Sequence, residues 1–211
     1  AKKMKTILCY GDSNTWGYAP APQSRYPRDV RWPGGLRKEM GEGYLVIEEG
    51  LNGRTTVWDD PIELDKNGAI YLRPCIQTHK PLDLVIIMLG TNDLKTRFSL
   101  PAYDIASGAG VLVDIVRKSD TGLEGRAPEV LLIAPPQSVE LTNFAEMFED
   151  AVEKSAGFAK HYRRVSNEKG CHYLNAGEFV ESSQLDGIHL ESDMQAALGR
   201  AVATKVKTIL T

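Results

Sequence analysis

Residues 81–93 read PLDLVIIMLGTND, and the six apolar residues from Leu84 to Leu89 are the part that decides the architecture. They are rich in β-branched side chains and are bounded by Pro81 and Asp83 on one side and Gly90 on the other, which are strand limits. The run does not alternate between apolar and polar. A strand with one wet face alternates, so a continuous run describes a strand covered on both faces, as in a parallel sheet between helices. Residues 130–134, VLLIA, repeat the pattern. Three further short apolar runs, at 6–10, 44–47 and 172–174, complete a set of five expected strands.

The intervals between these runs have helical character at 34–40, 68–78, 103–119, 144–167 and 192–209. In the last, Met194, Ala197, Leu198, Ala201, Val202, Val206 and Ile209 fall on one face at a 3.6-residue period. Strand and helix thus alternate five times. With right-handed crossovers this gives an α/β fold, a flavodoxin-like three-layer α/β/α sandwich on a five-stranded parallel sheet. A chain of 211 residues that is 42% hydrophobic can bury one sizeable core, and a single domain over 1–211 is expected, with no repeat or interdomain linker.

Lys and Arg number 25 against 28 Asp and Glu, without long runs of either sign, which argues against nucleic acid or an anionic membrane as a partner. Cys9, Cys75 and Cys171 are an odd set at wide spacing with no Cys-x-x-Cys pair, so a reducing, cytoplasmic setting is expected. The apolar stretch before Gly11 is too short to span a bilayer.

Ligands in open α/β sheets sit beyond the carboxyl ends of the strands. Gly11-Asp12-Ser13 follows the first run, a loop containing Asn52 and Gly53 the second, and Gly90-Thr91-Asn92-Asp93 the third. Asp186-Gly187-Ile188-His189 comes shortly after the fifth. A serine hydroxyl needs a base to become a nucleophile, histidine suits that task near neutral pH, and a carboxylate fixes the imidazole tautomer. The backbone N–H groups of Ser13 and Gly53 and the Asn92 amide can serve a developing oxyanion. The rim therefore reads as an acyl-transfer site.

These four blocks, in this order, resemble the SGNH (GDSL-type) serine hydrolases. The longer strings CYGDSNTWGY, VIEEGLNGRTT and PLDLVIIMLGTND are similar to the bacterial arylesterase and acyltransferase branch of that family. The resemblance implies the SGNH hydrolase fold, with Ser13 as nucleophile, His189 as base and Asp186 as its partner. It implies an oxyanion hole of Ser13, Gly53 and Asn92, no cofactor or metal, a small-molecule ester substrate, and a homo-oligomer. The family's leucine after the serine is Asn14 here, which makes the surroundings of the nucleophile more polar. Asp12, Asn14 and Trp16 are expected at the substrate pocket, Asp12 chiefly holding the turn and Trp16 walling the acyl or alcohol side. No long apolar loop suggests a lipid channel, so small acyl groups such as acetyl are expected, with water or another alcohol resolving the acyl-enzyme.

Two other classes remain open at this stage. A metal-dependent phosphoesterase would recruit Asp12, Asn92, Asp93 and His189 as ligands, and a flavodoxin-like binding module would have no use for His189. His79, His161 and His172 have no acidic partner in a comparable loop and read as surface or packing residues. Asp59-Asp60 reads as a solvated turn, and Cys9 as a small core hydrophobe.

Overall fold

The apolar runs become the strands of one sheet. In the computed structural model, which describes residues 3–210, β1 (Lys5–Gly11) leads through the one-turn helix α1 (Ser13–Trp16) into a small antiparallel ribbon, β2 (Tyr18–Ala19) with β3 (Ser24–Arg25). Then follow α2 (Trp32–Met40), β4 (Tyr44–Gly50), α3 (Gly68–His79), β5 (Leu84–Met88), α4 (Ala102–Arg117) and β6 (Glu129–Ala134). The chain closes with α5 (Ala151–Ser155), α6 (Phe158–Lys169), β7 (His172–Asn175) and α7 (Ser192–Ile209). The sheet order is β4-β1-β5-β6-β7, every pair parallel. Counting only those five strands, that is the 2-1-3-4-5 order of flavodoxin-like sheets.

Side-chain alternation along the strands divides the core into two layers. Leu8 and Tyr10 of β1 and Val85 and Ile87 of β5 face Ile105, Ala109 and Leu112 of α4 and Phe158 and Tyr162 of α6. Ile7, Cys9, Ile86 and Met88 face the other way, onto Trp32 and Leu36 of α2 and Leu198, Val202 and Val206 of α7. Burying both faces explains why β5 and β6 carry no polar residue after their first positions, since each large apolar side chain contributes about 1.5–3 kcal/mol on burial.

Register sets the rim. Gly11 is level with Gly50 on one side and Met88 on the other, so the loops after β1, β4 and β5 leave the sheet at one height. Arg54 fastens two of them. Its guanidinium donates to the carbonyls of Gly11 (2.9 Å) and Glu49 (2.6 Å) and lies over the Tyr10 ring.

The expected helix over 144–167 is not continuous. Residues 143–150 form turns, Asp150 takes a left-handed φ of 65°, and helix begins only at Ala151 and again at Phe158. Phe144 and Phe148 are four apart and so mimic a helical stripe, but their rings meet edge to face 6.2 Å apart, with Phe144 also against His189. Tertiary packing across the rim overrides the periodicity.

Candidate active site

The loop after β1 is a tight cap. The Asp12 carboxylate accepts from the Asn14 backbone N–H at 3.0 Å, an N-cap that starts α1 at Ser13. The expected holding role of Asp12 is therefore present. Its burial raises its pKa to about 6, against the opposing Asn14 hydrogen bond and the His189 ring.

The last loop meets this cap from the far end of the chain. Ser13 Oγ lies 2.9 Å from His189 Nε2, and His189 Nδ1 lies 2.6 Å from Asp186 Oδ2. The other Asp186 oxygen accepts from the backbone N–H groups of Ile188 and His189, each at 2.9 Å. Burial alone would raise the Asp186 pKa, but the His189 and backbone hydrogen bonds outweigh it and hold the carboxylate below its ordinary value. Gly187 makes the bend possible. It sits at φ 84°, and a Cβ there would come within 2.6 Å of the Glu140 carbonyl and 2.8 Å of the Val139 carbonyl.

Asn14 bolts the two loops together. Its Nδ2 donates to the Ile188 carbonyl (3.3 Å), its Oδ1 accepts from Leu190 N–H (3.2 Å), and its backbone carbonyl accepts from Gln195 Nε2 (3.0 Å). A leucine could keep only the last of these, which uses the backbone, so the two side-chain bonds give the residue after the serine a concrete task.

In front of Ser13 is a cavity of about 210 Å³. Gly53 and Asn92 line it with Ser13 and His189. Gly53 takes φ 81°, a left-handed conformation natural to glycine. Neither its N–H nor that of Ser13 has an acceptor within the described residues. Asn92 Nδ2 donates one hydrogen to the Arg54 carbonyl at 3.1 Å, which fixes the amide plane. The expected constellation of Ser13, Asp186, His189, Gly53 and Asn92 thus occupies one place.

Asp12, Asn14 and Trp16 do not line that cavity. The capping turn uses the first two behind the nucleophile, and Trp16 instead carries Arg25 over its ring. The walls come mostly from residues outside the expected site set. Tyr18 stacks on His189 with ring centres 4.2 Å apart, Phe144 meets the same imidazole edge-on at 6.0 Å, and Met147, Phe148 and Ile188 extend the apolar side. Asn52, Glu63 and Lys95 supply the polar side. Asn52 and Ile188 adjoin Gly53 and His189 in blocks the sequence already marks, whereas Tyr18, Glu63, Lys95 and the Phe144 to Phe148 segment reach the cavity from other loops.

Several other assignments change. Asp60 is not in a solvated turn but 3% exposed, bound by Arg97 at 2.9 Å and 3.1 Å. Burial opposes its charge, yet the N–H groups of Glu63 and Ile62 and the Arg97 guanidinium bring its pKa down to about 2. His79 and His172 do have acidic partners, Glu49 at 2.8 Å and Glu129 at 3.0 Å. Those partners lie on β4 and β6, facing His79 at the end of α3 and His172 at the start of β7, not in a loop comparable to that of Asp186 and His189. Asp93 is fully buried on Thr56, accepting from its N–H and hydroxyl, and desolvation raises its pKa to about 7.

The ligand set of a metal phosphoesterase does not assemble. Among the described residues, the acidic, His and Cys side chains that gather three atoms within 4.8 Å are Glu49, Cys75 and His79, not Asp12, Asp93 and His189. In that group His79 already bonds Glu49, and burial pushes the Cys75 thiol up to about 12.

A family model described as GDSL-like Lipase/Acylhydrolase matches residues 9–197. A carbohydrate acetylesterase from Sinorhizobium meliloti has a similar solved structure, with a TM-score of 0.94 and 40% identity over 98% of this chain and 100% of that one. The M. smegmatis aryl esterase is similar at a TM-score of 0.94 and 42% identity, over 98% and 100% of the two chains. A lipase/acylhydrolase from Enterococcus faecalis shares the fold at a TM-score of 0.67 and 20% identity, over 97% and 96%. No curated protein sequence matches the chain.

Proposed function

The chain belongs to the GDSL-like lipase/acylhydrolase family and is a carboxylic ester hydrolase, and from that premise we propose that Ser13, His189 and Asp186 form its catalytic triad on small acyl esters. His189 Nε2 takes the Ser13 proton as Oγ attacks the ester carbonyl. The oxyanion is received by the N–H groups of Ser13 and Gly53 and by the free Asn92 amide hydrogen, donors already fixed before charge develops. The imidazolium then protonates the departing alcohol, and water, or a second alcohol in acyl transfer, attacks the acyl-enzyme with His189 again as base.

The observation that carries this reading is the continuous hydrogen-bond line from Ser13 Oγ through His189 to Asp186, at 2.9 Å and 2.6 Å, at the edge of a cavity. The cavity's volume of about 210 Å³ is below the range of about 300–1,000 Å³ usual for ligand pockets, which supports acetyl-sized acyl groups. The carbohydrate acetylesterase and the aryl esterase named above are the models for the substrate.

Self-association is part of the proposal. Leu64, Ile70 and Tyr71 are exposed and line one groove, an apolar surface of the kind that pairs with another chain.

The test is fluorophosphonate labelling with peptide mapping, paired with Ser13→Ala. One adduct on the Ser13 peptide and loss of aryl acetate hydrolysis in a folded variant are expected. An adduct elsewhere, or turnover by the variant near the wild-type rate, would overturn the assignment.

A further inference from the structure

Three side chains of different chemistry converge where β4 meets α3. Cys75 and His79 stand four residues apart on α3, about one helical turn, and so share one face of it. Glu49 reaches them from the end of β4. A carboxylate oxygen of Glu49, Cys75 Sγ and a ring nitrogen of His79 all lie within 4.8 Å of one another. None of the three lines the cavity in front of Ser13.

The Glu49 carboxylate meets His79 at 2.8 Å and the Tyr71 hydroxyl at 3.2 Å, and among the described residues no Lys or Arg pairs with it. Arg54 directs its Nη1 to the Gly11 and Glu49 backbone carbonyls instead. Cys75 is buried, and a thiol is a weak hydrogen-bond donor. Packing would account for Cys75 alone, and a simple ion pair for Glu49 with His79. Neither accounts for a sulfur set against a carboxylate that lacks a permanent cation.

Thiolate, imidazole and carboxylate are the ligand types of zinc. One of each carries two negative charges, which a divalent ion cancels, so the loaded site is neutral and compatible with its burial. Tetrahedral zinc, with bonds of about 2.0–2.3 Å, sets its ligand atoms about 3.3–3.5 Å apart. From the separations of 2.8 Å and at most 4.8 Å, the Glu49 and His79 atoms open by about 0.5 Å and the sulfur draws in by at most about 1.3 Å, small enough for side-chain rotation. The Glu49 and His79 side chains are partly exposed, so an ion, and water as its fourth ligand, can reach the site from solvent.

We infer that Glu49, Cys75 and His79 form a binding site for a divalent metal ion of the zinc type, structural rather than catalytic. On binding, Cys75 releases its thiol proton to solvent, His79 binds as the neutral imidazole, and bonds from Glu49 and His79 to the ion replace the hydrogen bond between them. The ion then joins the end of β4 to the last turn of α3. Because the Glu49 carbonyl also anchors Arg54, it stiffens the strand end from which the Gly53 loop departs. The inference does not depend on the esterase reading, since no ligand belongs to the Ser13 cavity.

The test uses the full chain, stripped with EDTA and dialysed, and titrated with Co²⁺ and then Zn²⁺. Cobalt should give a thiolate-to-metal charge-transfer band in the near ultraviolet that saturates at one equivalent and is bleached by zinc. Zinc at about 100 times its Kd should raise Tm by about 5–11 °C. Cys75→Ser should remove the band, and His79→Ala should weaken cobalt binding by more than about 10-fold, the least that loss of a ligand's outer partner usually costs. Cys171→Ser, at the other partly accessible thiol, should change neither. No band in the wild-type protein, or a band that survives Cys75→Ser, would overturn the inference whatever zinc does to Tm. Cys75 is buried, and if serine there unfolds the chain, the partly exposed His79 decides: unchanged cobalt affinity in His79→Ala refutes the site.

Discussion

Replacing Asn92 by alanine tests two tasks of one side chain. Its amide nitrogen has two hydrogens; one holds the Arg54 carbonyl at 3.1 Å, and the other is free at the cavity beside Ser13. Loss of the free donor removes one member of the oxyanion hole, and kcat should fall by about 10²- to 10³-fold, equivalent to about 2.7–4 kcal/mol. KM should move little, because the ground-state carbonyl is neutral and gains little from the donor. Loss of the other donor leaves the Arg54 carbonyl without that partner in a buried loop, at about 1–3 kcal/mol of stability. For a chain of this size each kcal/mol lowers Tm by about 2–4 °C, so a drop of several degrees accompanies the kinetic defect. Asn92→Asp should be at least as slow, since it turns a carboxylate toward both the Arg54 carbonyl and the developing negative charge. The measurements are steady-state kinetics on phenyl acetate and thermal melts of the same preparations. A lower Tm with unchanged kcat would make Asn92 a strut for the Arg54 loop and nothing more, and a rise in KM alone would make it a binding residue; either result refutes the oxyanion assignment.

Gly187→Ala should place a methyl group against the Val139 and Glu140 carbonyls and displace the Asp186 to His189 loop, lowering kcat by at least about 10²-fold while circular dichroism stays near wild type; activity within a few-fold of wild type would show that the bend tolerates a side chain. The second concerns stability and pH. Asp93 has a folded-state pKa of about 7, above the ordinary value of 3.8, so the folded chain holds a proton there that the unfolded chain has lost. Stability from this group is therefore full below about pH 4 and declines as pH rises toward 7. Asp12, raised to about 6, adds a slope of the same sign. Asp93→Asn can accept from Thr56 N–H and donate to its hydroxyl without titrating, so urea midpoints between pH 4 and 7 should fall less steeply than in wild type; an unchanged slope would show that Asp93 is ionised in the fold.

The sheet was legible because β5 and β6 are apolar without alternation, and burial on both faces leaves that mark wherever it occurs. The Ser13, Asn92 and Asp186 to His189 blocks were legible for a different reason: each is a compact turn in which the chemistry lies within a few residues. What escaped depends on contacts between loops. Lys95 and Glu63 look like ordinary solvated polar residues until the segment around Asp60 folds back to the rim. The same holds for Glu49 with His79, which meet across β4 and α3. Phe144 and Phe148 misled because spacing at four residues fits a helix as well as it fits two rings packed edge to face in a turn, one of them against a histidine.

Ser13 and His189 lie 176 positions apart, and Asn14 joins their loops. A ribosome therefore makes the serine 176 residues before the histidine that it bonds. On the proposed triad, a chain in which the Asp186 loop has not yet docked carries a serine with no base to deprotonate it, so activity requires the docking that Asn14 fastens and cannot precede it.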